Sequence, residues 1–205
     1  MLKLMSEETH AHLLAFPTRK KLAFLMLLYE RMIPELRSFC LSEGRDFSIF
    51  QNAHDEFWRY LADGESPISW AQLTQDILDA TPSSVDFGAL ECSFALNAGL
   101  LAAETAAFIA DGKDEHIVDA TRYAFDSLDF KVRVPLEIRF YDRTVVAHVY
   151  DYVMAHPLIL RERQIEEEDV SFLTPLPDGQ WPADIVAMLK RRAESQHSLL
   201  SAFGN

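Results

Sequence analysis

Two polar side chains stand where helical periodicity would put apolar ones. His54 lies one turn from both Phe50 and Trp58, and Glu91 falls between Phe87 and Phe94. An imidazole near a buried carboxylate can pass a proton or share a metal ion, because burial and a charged neighbour both shift the two groups' proton affinities. His54 and Glu91 are therefore the candidate ligand-binding residues. The plainer alternative is a satisfied buried pair, or two side chains that reach solvent at the edge of an apolar stripe.

The other constellations carry less. A ferritin-like di-iron centre needs two Glu-x-x-His pairs and two further glutamates on facing helices. This chain offers one such spacing, Glu7 with His10, and a second pair one turn apart, Glu8 with His12, both near the amino terminus. Half a metal site on a terminal helix reads as a polar face. There is no His-Glu-x-x-His, no paired Cys-x-x-Cys and no acidic calcium loop, so no metal and no cofactor are expected. Glycine-rich phosphate loops and a Gly-x-Ser-x-Gly nucleophile elbow are absent as well. The run Glu166-Glu167-Glu168-Asp169 reads as a solvated helix face. His116 and His148 flank apolar stripes as boundary residues, and His148 with Tyr150 and Tyr152 has no spacing that demands a pocket.

Charge narrows the partners. Thirty-two acids against 19 bases give a formal charge of −13 over 205 residues. Such a chain repels phosphate, and nucleic-acid binding needs a basic footprint that releases counterions. Neither nucleic acid nor an anionic membrane is an expected partner. The basic triplet Arg19-Lys20-Lys21 with the apolar run Leu22 to Tyr29 imitates a signal sequence. It carries acids upstream, lacks a small-residue cleavage site, and ends at Glu30, Arg31 and Pro34, short of a membrane span. Cys40 and Cys92 sit among apolar residues and read as two buried thiols in a reducing compartment, the cytoplasm.

The elements that must position these residues are helices. A hydrophobic fraction of 49% with only seven glycines favours helices joined by short loops over a many-stranded fold. A short helix ends before Pro17. A long one, capped by Thr18, runs to about Ser42 with Pro34 inside it, and it is apolar on several sides. Asp46 caps a third, closed by Asp63-Gly64, and Ser69 caps a fourth that ends at Thr81-Pro82. Ser84 opens an alanine-rich helix to Asp111-Gly112, whose small residues let neighbouring helices approach closely. A sixth runs from Asp114 to about Leu128. From Phe130 to Tyr141 apolar and polar residues then alternate, which predicts an extended or strand-like segment confined to an edge by Pro135. Three further helices span about 142–155, 157–172 and 183–200.

The run Glu30-Arg31-Met32-Ile33-Pro34 followed by Phe39-Cys40 resembles a signature of the YjaG-like family of bacterial proteins. Asp86-Phe87, the alanine-rich helix, and His156-Pro157-Leu158 with Glu162 and Gln164 follow in the same order. The resemblance implies an all-helical fold and an uncharacterised function, and it brings no functional residues with it. Gly88-Ala89-Leu90-Glu91 and the alternating segment at 130–141 depart from the family pattern.

The reading is therefore an all-α protein: a single-domain multi-helix bundle over residues 1–205, with a strand-like segment near 130–141. Missing catalytic motifs and the unpaired strand-like segment favour a non-enzymatic protein that acts through self-association, as a homodimer, or through another protein. The second hypothesis is a small-molecule-binding or metal-dependent enzyme with its site near His54 and Glu91. It rises if those two residues line one enclosed cavity and falls if they lie apart.

Overall fold

The computed structural model describes residues 4–83, 90–134, 143–196 and 199, and for 143–148 the backbone alone. Among them are nine helices: α1 (Glu7–Leu14), α2 (Thr18–Ser42), α3 (Ser48–Asp63), α4 (Trp70–Ala80), α5 (Leu90–Asp111), α6 (Glu115–Arg133), α7 (Arg143–Ala155), α8 (Pro157–Leu173) and α9 (Ala183–Ser195). No strand occurs among the described residues.

α5 forms the axis of the bundle, with α2, α4 and α6 packed along it. Its alanines make that possible. A Cβ added at Gly99 would lie 2.5 Å from the hydroxyl oxygen of Thr81 and 3.1 Å from that residue's Cβ, so the end of α4 touches the α5 backbone. By length and composition α5 could cross a membrane, but 67% of its apolar window is buried against the other helices. Its apolar faces are used up in the core. α2 is the second buried element: Leu22 through Tyr29 are almost wholly enclosed, including Phe24, Leu27 and Leu28, which lie off the main stripe. A helix apolar all round must be surrounded.

Several boundaries follow the sequence. Ser69 caps α4 by accepting from the Gln72 amide at 3.3 Å, and Gly64 closes α3 at φ +77°, a left-handed conformation open to glycine. Others differ. Thr18 is the first residue of α2 and Pro17 occupies the cap, with no side-chain hydrogen bond. α3 starts after Phe47, while the carboxylate of Asp46 accepts from the Ser48 amide at 2.8 Å, so the acid caps from one residue further out. Pro34 leaves α2 unbroken. It supplies no N–H to the Glu30 carbonyl one turn before it, and the Arg31 carbonyl next along accepts from Leu199 N at 2.8 Å.

The strand-like reading of 130–141 is corrected where the chain is described. Phe130–Arg133 is the last turn of α6, and Val134 continues it as a 3-10 turn. Alternation over so few residues is also what the end of an amphipathic helix shows. Phe130 and Val134, four apart, both face solvent. Residues 135–141 lie outside the described residues, as does the predicted helix start at Ser84.

Candidate functional site

Three helices bring polar side chains to one open cleft of about 630 Å³. α3 supplies His54, Asp55, Trp58, Arg59, Ala62 and Asp63, which recur at helical spacing along one face. α9 supplies Lys190, Ala193 and Glu194 in the same way, and α2 contributes Glu30. The cleft exists because the facing stripes carry alanine at 62 and 193, where a larger side chain would fill the gap.

Glu30 organises one end of the cleft. Its Oε1 accepts from Trp58 Nε1 at 2.7 Å and meets His54 Nε2 at 2.6 Å. The other ring nitrogen of His54 lies 3.1 Å from Asp55 Oδ1. Burial alone would disfavour both charges. The mutual hydrogen bond and attraction outweigh it, and they hold Glu30 below the usual carboxylate range and His54 above the usual imidazole range. An imidazolium with a carboxylate on each nitrogen has no free lone pair, so it is built to carry charge rather than to abstract protons. Tyr29 packs behind it, ring centres 6.3 Å apart, with its hydroxyl buried and unpartnered. At the mouth the Lys190 ammonium stands 5.4 Å from the centre of the Trp58 ring.

The two residues singled out from the sequence are not brought together. His54 is half-buried in this cleft. Glu91, expected on the core side of α5, is exposed, and it lines a separate hollow of about 110 Å³ with Glu35, Ser38 and Phe94. Its neighbours Cys92 and Phe94 take the core positions instead. Glu7 and His10 also diverge, the first exposed and the second buried. Among the described residues no group of three or more His, Cys, Asp or Glu side chains is placed to hold a metal ion. His116 is more than a boundary residue: Glu104 lies 2.6 Å from one ring nitrogen and Asp111 3.0 Å from the other.

A second polar cluster has its centre inside the protein. Arg31, the residue after Glu30, is fully buried. Its Nε donates to Glu162 Oε1 at 2.9 Å, and its Nη1 donates to Asp169 Oδ2 and Gln196 Oε1, each at 2.8 Å, and to the Leu27 carbonyl at 3.0 Å. Arg192 Nε and Gln196 Nε2 both donate to the other oxygen of Asp169 at 2.7 Å. Glu166, wholly buried in the same cluster, has no hydrogen-bond partner on either oxygen. Burial, with the neighbouring charge of Glu162, pushes its carboxyl well above the usual carboxylate range despite Arg31.

The acidic run at 166–169 is thus corrected: Glu166 and Asp169 point inward, while Glu168 reaches Gln164 at the surface. The reason is periodicity. Ile159, Glu162, Glu166, Asp169 and Leu173 recur at three- and four-residue intervals and form the buried stripe of α8. The signals available were a Glu-Arg pair in the middle of an otherwise buried helix, and three acids at core spacing that could pair with it.

Residues 8–198 match the family described as "Protein of unknown function (DUF416)". Among solved structures the chain is similar to a DUF416 family protein from Shewanella baltica OS155. The TM-score is 0.80 at 20% identity, covering 93% of this chain and 96% of that chain. At that identity the likeness shows the fold alone. A search of curated proteins finds no match.

Proposed function

The chain belongs to the DUF416 family, whose function is unknown, and we propose that it is a binding protein for a small organic cation, taken into the cleft between α3 and α9. The observation that carries this reading is the Glu30–His54–Trp58 arrangement at the cleft, with a cation already resting on the Trp58 ring. Four carboxylates line the cleft (Glu30, Asp55, Asp63 and Glu194) against Arg59 and Lys190, with His54 committed to Glu30 and Asp55. The aromatic face beside those acids suits an alkylammonium or guanidinium group. The long, exposed Lys190 side chain rests on that face and gives way to the ligand. The engagement of both nitrogens of its imidazole supports binding over proton abstraction by His54.

The Trp58 indole N–H resonance, assigned by Trp58→Phe, provides the test. Titration with butylammonium shifts it and titration with butyrate does not. Equal shifts, or none from the amine, would defeat the reading.

A separate observation favours a second reading, association with another copy of the chain or with another protein. Phe130, Val134, Tyr150, Tyr152 and Leu160 on α6, α7 and α8 are large apolar side chains open to solvent. Sedimentation of the full chain distinguishes a dimer from a monomer, and Phe130→Ser weakens any dimer that buries Phe130. The free thiols of Cys40 and Cys92 support a place in the cytoplasm, and the run from Glu30 to Pro34 supports a position among YjaG-like members of the family.

A further inference from the structure

α9 faces two ways. One side, Lys190 with Glu194, is a wall of the cleft. Its backbone packs on α2 and α3, with Val186, Leu189 and Ala193 buried. Towards α8 it reaches with polar side chains: Arg192 and Gln196 meet Asp169, and Gln196 also accepts from Arg31. Just beyond, Leu199 N donates to the Arg31 carbonyl. The seat of α9 on this side is therefore a charged cluster whose inner members, Arg31, Glu162, Glu166 and Asp169, are buried, while Arg192 and Gln196 border the surface.

One acid of that cluster has no cation in contact with it. Arg31 and Arg192 supply two cations, while Glu162, Glu166 and Asp169 supply three acids. Glu162 and Asp169 are each in direct contact with a guanidinium. Glu166 touches none, and neither of its oxygens has a partner. A lone carboxylate in a dry interior is far costlier than a neutral carboxyl. Burial without a partner, beside Glu162 and Asp169, thus places a proton on Glu166. The charges that reach Glu166 are Glu162, Asp169 and Glu167 on its own helix and Arg31 from α2. The other elements against α8 bring buried His10 from α1, the half-buried Asp126 and the Asp129–Arg133 pair from α6, and Asp151 from α7.

We propose that this cluster is a proton-operated latch for α9: while Glu166 holds its proton the helix is seated, and loss of that proton admits water and releases the helix. Because the released helix is one wall of the cleft, the latch sets how readily the cleft opens, a consequence that rests on the cleft being a binding site. The latch itself does not depend on that reading.

The linkage has a definite sign. The seated state keeps the proton and the released state, with Glu166 in water, gives it up near the ordinary glutamate value. Release therefore becomes easier as pH rises from about 4.5 towards the raised value in the seated state. One proton allows up to about a tenfold rise in the opening constant per pH unit.

Amide hydrogen exchange of the full chain, read on peptides covering 183–196 and corrected for the intrinsic pH dependence, measures that constant. Wild-type α9 loses protection by up to about tenfold per pH unit, while peptides from α5 in the same sample keep theirs. Glu166→Gln, neutral at every pH, gives α9 protection that no longer depends on pH. Glu166→Leu, neutral without hydrogen-bonding capacity, does the same if charge is what matters. A wild-type α9 whose protection does not change with pH, or variants with the wild-type slope, would overturn the latch. If the latch behaves as stated and butylammonium leaves the Trp58 resonance unmoved, the cleft reading alone fails.

Discussion

Glu30 and Arg31 are consecutive on α2, yet they serve opposite environments. One turns its carboxylate to a cleft that water enters, where it meets His54 and the Trp58 indole. The other turns a guanidinium into the interior, where two carboxylates and a glutamine surround it. At the cleft each charge is partly solvated and the pairing tunes proton affinity more than it holds the fold. In the interior every charge depends on its partner, because none can fall back on water. The difference shows why carboxylates on two packed helices can move in opposite directions: attraction from His54 wins at Glu30, and burial wins at Glu166.

The largest effect should come from removing the interior cation. Arg31→Met leaves Glu162 and Asp169 buried beside a hydrocarbon, and should reduce stability by about 3–5 kcal/mol in denaturant unfolding. A loss below about 1 kcal/mol would mean that the cluster is as well hydrated as the cleft. Glu166→Gln comes next, and its effect grows with pH. A carboxyl raised by folding contributes stability that is present below about 4.5 and is lost as pH climbs towards the folded value. The variant should match wild type in acid and gain on it by up to about 1.4 kcal/mol per pH unit above that point.

At the cleft the expected effects are smaller. Glu30→Gln should cost about 1–2 kcal/mol at neutral pH and bring the His54 titration, followed by imidazole proton resonances, back towards 6.5. The sign is the same as at Glu166 and only the cause differs: attraction to carboxylates raises His54, burial raises Glu166. The raised His54 contributes stability that is present below 6.5 and lost as pH rises through its folded value. Lys190→Ala, an exposed cation on the Trp58 ring, should change stability by about 0.5 kcal/mol in thermal unfolding.

The same two regions show what could be read from the chain alone. The helices were legible because their apolar periods are long: α2 and α5 announce themselves by runs that only a surrounded helix can carry. His54 was legible as a polar residue within an apolar stripe, and it does lie in the cleft. Its partner was not, because Glu30 belongs to a helix 24 residues earlier and spacing along a chain says nothing about which helices cross. Glu91 was misplaced by one position of helical phase, since Cys92 and Phe94 already fill the core face of α5. The interior cluster was hidden by its own composition. Four consecutive acids look like solvated surface, and only the three- and four-residue spacing of Glu162, Glu166 and Asp169 separates inward from outward residues. The strand-like reading of 130–141 failed at its start for a related reason, since the end of an amphipathic helix also mixes apolar and polar residues.

The most direct test of the contrast follows two carboxyl carbons in one sample. With ¹³C-labelled glutamate, resonances assigned by Glu30→Gln and Glu166→Gln are titrated together. Glu30 should change protonation below the ordinary glutamate value, and Glu166 should still carry its proton well above it. Two carbons titrating together near that value, or Glu30 above Glu166, would contradict it.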